Sequence, residues 1–217
     1  MAAIKGAIFD MDGLLLDTER LYQESWTVVA GELGLTPDPA FPAAVSGSSG
    51  EIMRELIHRY YPTADPFAMQ DACIRRVNSL LDREGPPVKP GARALLEYLR
   101  RTGMKTALAS STGRDRILSN LRQAALDTFF DAVVSGQEVK RGKPEPDIFL
   151  LAAERIDCSP ETCMVLEDSV NGVRAGMAAG CVTVMVPDLT PPPAGLAVHR
   201  ICDSLSQVQA LLEAGRL

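Results

Sequence analysis

Asp10 and Asp12, two acids separated by one residue, stand between a short apolar run, Ile4 to Phe9, and Gly13. The run reads as a buried strand in which Gly6 and Ala7 let neighbours pack closely. A carboxylate directly after a core strand faces the crevice where open α/β sheets place their ligands. An extended backbone would put positions 10 and 12 on one side. A sharp bend, which Gly13 permits, would instead fold both acids around one point. Two carboxylates that close repel unless a cation or a proton joins them. The pair therefore predicts a Mg²⁺ site or a nucleophile with an acid beside it. The alternative is an exposed turn, since Asp and Gly are common turn formers.

Three further clusters sit where such chemistry needs them. Ser110 and Ser111 end an apolar run and precede a helix, so their hydroxyls and backbone N–H groups suit a phosphate oxygen. Simple helix capping is the competing explanation. Glu167 and Asp168 follow another apolar run and offer oxygen ligands to a hard cation, or Asp168 or Ser169 caps the next helix. Lys143 lies between Gly142 and Pro144, in a segment that cannot be regular helix. Held above the acids it is a phosphate clamp; otherwise it is a solvated surface lysine. Arg54 and His58, four apart on a predicted helix, are candidates for substrate contact, set against the usual solvent-facing role of charged helix residues.

The elements that must position these groups follow from periodicity. After Asp17, a candidate N-cap, Leu21, Trp26, Val29 and Leu33 fall near one helical face. Residues 35–50 are rich in Pro, Gly and Ser and read as loop. Helices are predicted over about 51–60 and 66–83, then the linker EGPPVKPG. Residues 16–86 thus form an all-helical block inserted after the first strand, where a lid over the crevice belongs. From Pro90 onward helices alternate with strands at 105–109, 132–134, 164–166 and 181–186, and a last helix covers about 205–214. Alternation of this kind predicts a parallel sheet covered on both faces. Asp10, Ser110 and Asp168 then fall along one edge of it.

Composition bounds the function. The 217 residues suit one sizeable domain with a smaller insert, and 46% hydrophobic with 23% charged residues is ordinary for a soluble globular protein. A net charge of −6 disfavours nucleic acid as a partner. No apolar run approaches the ~18 residues that cross a bilayer, and the N-terminus lacks signal-peptide layout. Five cysteines without CxxC spacing predict reduced thiols in a cytoplasmic protein.

The segments DMDGLLLDTE, LASST, GKPEPDIF and LEDSVNGVRAGMAAG together resemble the haloacid dehalogenase superfamily. More narrowly, the chain resembles its β-phosphoglucomutase-like phosphatase branch with a helical cap. The resemblance covers nearly the whole chain. It implies a Rossmann-like α/β core, residues 1–15 and 87–217, with strand order 5-4-1-2-3, and a cap over 16–86. It implies Asp10 as the nucleophile that forms an aspartyl-phosphate and Asp12 as general acid/base. It implies Mg²⁺ held by the Asp10 carboxylate, the Asp12 main-chain carbonyl and Asp168, with Glu167 assisting, and phosphoryl oxygens held by Ser110, the Ser111 amide and Lys143. In the superfamily's dehalogenases, phosphonate-cleaving members and cation pumps the second acid is absent or replaced, so Asp12 favours phosphate esters. The mutases' GVSR loop reads AVSG here, Ala44 to Gly47, with Gly47 in place of the phosphate-gripping Arg, which favours a hydrolase. The expected activity is Mg²⁺-dependent hydrolysis of a small phosphorylated metabolite, a sugar phosphate foremost, by a monomer. A phosphomutase and a non-catalytic sugar-phosphate sensor are the alternatives.

Overall fold

β1 (Gly6–Phe9) is buried at all four positions, as a charge-free run needs when strands flank it on both sides. The structure, a computed structural model, describes residues 3–46, 48 and 50–217. Gly47, the residue that replaces the mutases' arginine, lies outside the described residues. The chain divides into two compact units, Met1–Leu16 with Pro87–Leu217, and Asp17–Pro86.

In the first unit, among the described residues, one six-stranded sheet has the order β3-β2-β1-β4-β5-β6. The strands are β1, β2 (Lys105–Ser110), β3 (Ala132–Ser135), β4 (Cys163–Glu167), β5 (Val182–Met185) and β6 (Arg200–Ile201). Every pairing is parallel. Five strands therefore stand in the expected order, extended at one edge by β6, which sequence reading missed. β6 has two residues, both exposed, too few to show a period.

Alternate residues of β1 feed two apolar layers. Ala7 and Phe9 pack with Leu95, Leu96 and Leu99 of α5 (Ala92–Arg101), Ile117 and Leu121 of α6 (Arg114–Gln123), and Leu205 and Val208 of α9 (Leu205–Glu213). Ile8 packs on the other side with Ile148, Phe149 and Ala152 of α7 (Asp147–Arg155) and Ala175 of α8 (Val170–Ala178). The two-residue alternation of the strand and the three- and four-residue spacing of the helices explain this sandwich. It places β1 centrally and gathers the strand ends.

The second unit contains α1 (Glu19–Glu32), α2 (Phe41–Val45), α3 (Gly50–Tyr60) and α4 (Pro66–Glu84). Its own core includes Trp26, Phe41, Ile57, Met69 and Val77. The predicted loop over 35–50 thus contains a short helix, because Pro42 sits in the first turn, where it starts a helix instead of breaking one. Asp17 does not cap α1: the N-cap is Thr18, and Asp17 pairs with Arg20 at 3.2 Å. Leu33 lies past the helix end and is exposed. No described helix is long and apolar enough to cross a membrane.

Candidate active site

The chain leaves β1 at Asp10, whose amide donates to the Leu166 carbonyl at 3.0 Å. Gly13 follows with φ +83°, the left-handed region that glycine enters without strain. Its amide donates to Leu16 O at 2.8 Å, while Leu15 N and Leu16 N both donate to Met11 O at 3.0 Å. Met11, Leu14, Leu15 and Leu16 are fully buried, so apolar anchors hold the loop that carries both acids. The bend separates their tasks. Asp10 turns toward β4 and Lys143; the Asp12 side chain turns toward the end of β2.

The Lys143 side chain is shielded at 7% exposure, not solvated. Its Nζ donates to Asp10 Oδ1 at 2.5 Å, Glu167 Oε1 at 2.7 Å and Ala109 O at 3.2 Å. An ammonium has three donors, and all three find acceptors. Burial opposes its charge, but Asp10 and Glu167 outweigh burial and hold the ammonium above its ordinary range. The second oxygen of Glu167 accepts from Ser169 N at 2.8 Å and Ser169 Oγ at 2.9 Å. Ser169, not Asp168, caps α8, accepting from Gly172 N.

One carboxylate oxygen from each of Asp10, Glu167 and Asp168 lies within 4.8 Å of the others. Burial pushes the Asp10 carboxyl up to about 8; Lys143 pulls against that shift, and Glu167 and Asp12 add to it. One ammonium therefore leaves negative charge in excess. These are hard oxygen donors of the kind a divalent cation takes, and such a cation would return Asp10 to its ionised form. The residues fit a metal ion.

Ser110 is buried at the end of β2, but its hydroxyl is engaged: it donates to Asp12 Oδ2 at 3.3 Å and accepts from Thr112 N at 3.1 Å. Ser111 is exposed just beyond, with Gly136 packed against its backbone. Arg54 stacks over the Phe67 ring at 4.7 Å and His58 is exposed, both within the helical unit.

Sequence reasoning overlooked two residues. Thr112 Oγ1 donates to Asp12 Oδ2 at 2.8 Å; its only sequence signal was a third hydroxyl after β2. At Gly172 an added Cβ would lie 1.7 Å from Glu167 Oε1 and 1.8 Å from its carboxyl carbon. Glycine inside a helix costs about 1 kcal/mol relative to Ala, so its presence in α8 was a signal that space is needed there.

Carboxylates from β1 and β4 and a lysine from the β3–α7 loop, meeting at the carboxyl ends of a parallel sheet, define an α/β enzyme with a cation-ready acidic site. Residues 7–186 match the haloacid dehalogenase-like hydrolase family, and the chain belongs to that family. It is 32% identical over 212 residues to the phosphorylated carbohydrates phosphatase of Thermotoga maritima, covering 98% of this chain and 92% of that protein. It is 34% identical over 184 residues to fructose-1-phosphate phosphatase YqaB of Escherichia coli, covering 83% and 95%. A solved HAD-family hydrolase from Deinococcus radiodurans with bound phosphate and sodium shares the fold with a TM-score of 0.78 at 29% identity, covering 100% and 99%. The chain is accordingly an enzyme of the phosphatase kind.

Proposed function

We propose that the protein hydrolyses phosphate monoesters of small metabolites, sugar phosphates foremost, by double displacement through Asp10. The observation that carries this is Lys143 bridging Asp10 and Glu167 beside Asp168, where a nucleophile, a cation site and a phosphate clamp coincide.

An Asp10 carboxylate oxygen bonds to phosphorus as the ester P–O bond breaks, and Asp12 gives its proton to the departing oxygen. Asp12 then takes a proton from water as the water oxygen bonds to phosphorus and the bond to Asp10 breaks. Inorganic phosphate leaves and Asp10 is restored. Lys143 releases one of its acceptors to meet a phosphoryl oxygen, and Ser110, turning its one hydroxyl proton away from Asp12, supports the others together with the Ser111 amide. Asp10, Asp168 and the Asp12 carbonyl would hold Mg²⁺, with Glu167 in support, and the bound ion would neutralise charge on the transferring group.

The names of the relatives support a phosphorylated carbohydrate as substrate, and Gly47 in place of an arginine supports hydrolysis over transfer between sugars. The helical unit takes the role of cap and specificity element. Five free cysteines suit a reducing cytoplasm. Replacing Asp10 with Asn is expected to abolish phosphate release from p-nitrophenyl phosphate with the circular dichroism spectrum unchanged. Retained turnover in a purified, folded Asp10→Asn variant would defeat the proposal.

A further inference from the structure

Asp12 must do more than lie near the substrate: its carboxyl has to present a proton along one line. Two hydroxyls converge on a single oxygen of that carboxyl, Thr112 Oγ1 at 2.8 Å and Ser110 Oγ at 3.3 Å from Oδ2. The threonine contact is the shorter by half an ångström. Thr112 is itself pinned at both ends of its backbone. Its amide donates to Ser110 Oγ at 3.1 Å, and its carbonyl accepts from Ser135 Oγ at 2.6 Å. Ser135 is fully buried at the end of β3, and its amide donates to Glu138 Oε1 at 2.8 Å. Threonine is also stiff at χ1, so a fixed backbone fixes its hydroxyl. The chain of contacts runs from the end of β3 to the acid on the loop that follows β1.

We infer that Thr112 is the positioning residue for Asp12, setting the rotation of its carboxyl so that the other oxygen exchanges the proton. The inference rests on the acid/base role proposed above for Asp12. Thr112 keeps its own proton throughout. As the ester P–O bond breaks, the proton moves from Asp12 to the departing oxygen, and Asp12 becomes a carboxylate. The hydrogen bond from Thr112 aims the acid by geometry before the transfer.

Such help counts only where the leaving group needs a proton. Phenyl phosphate and p-nitrophenyl phosphate share a ring, but the plain phenolate is the poorer leaving group. With Thr112→Val, kcat/KM for phenyl phosphate is expected to fall about tenfold and that for p-nitrophenyl phosphate less than about threefold, a fraction of the usual effect of a general acid. Thr112→Ser, which keeps the hydroxyl, is expected to recover most of the loss. Thr112→Ala provides a second hydroxyl-free variant and should show the same split. Inhibition by inorganic phosphate should change less than about twofold in all three, as binding requires no proton transfer. An equal fall on both esters, no fall on either, or weakened phosphate inhibition would each overturn the positioning role while leaving the phosphatase proposal intact. Wild-type protein that hydrolyses neither ester would instead remove that proposal, and this inference with it.

Discussion

Lys143 Nζ stands between two buried acids with its own side chain only 7% exposed, so it offsets part of their charge away from solvent and leaves the rest for a cation. Glu167 spends one oxygen on that lysine and the other on Ser169. Its side chain fits because position 172 lacks a Cβ. This sets up a test whose sign is informative. Gly172→Ala in an ordinary helix would stabilise by about 1 kcal/mol. Here the methyl must displace the Glu167 carboxylate, so we expect a loss of about 2 kcal/mol, in the range of overpacked sites. Phosphate release should fall at least about 100-fold, as misplaced catalytic groups do. Thermal melts and initial rates check both. A more stable, fully active Gly172→Ala variant would show that Glu167 does not need the space.

At the level of elements, the end of β3 is tied to two helices through Glu138. Ser135 N and Glu138 Oε1 close a capping box at 2.8 Å, while Arg155 Nη2 meets Oε2 at 2.6 Å and Arg114 Nη1 meets Oε1 at 3.1 Å. The Arg155 hydrogen bond, then that from Ser135, hold the Glu138 carboxyl down at about 2 from an ordinary 4.5. A folded-state value below the unfolded one stabilises above pH 4.5, and the benefit is lost as pH falls toward 2. Solvent screens this partly exposed group, so its share is about 1 kcal/mol. Glu138→Gln should therefore lower stability by about that amount at pH 7, and the gap from wild type should close toward pH 2. Urea melts across that range give the answer, and a gap independent of pH would rule out the ionic origin.

At the scale of the whole molecule, two units hold separate cores. In the helical unit Phe41 is fully buried, with Trp26, Tyr60 and Tyr61 ring centroids at 5.3, 5.5 and 5.0 Å. Phe41→Ala should cost about 3–5 kcal/mol locally, the usual penalty for an emptied aromatic site. Hydrogen exchange is expected to rise through residues 17–86 and to stay slow in β1, β2 and β4. Uniform loss of protection along the chain would mean that the two units unfold as one.

The sequence alone determined the alternation of strands and helices, the acids at the ends of β1 and β4, and the family, because runs of apolar residues and short motifs are local properties. Hydroxyls and a lysine could be marked as candidates, but not assigned partners. Lys143 meets Asp10 across 133 positions and Thr112 meets Asp12 across 100. Such pairings exist only after parallel register brings strand ends together. The tertiary structure likewise decided that Thr112 joins Ser110 at Asp12, that Ser169 and not Asp168 caps α8, and that Gly172 leaves room for an acid. Each depends on distances between segments, which no local pattern of polarity encodes.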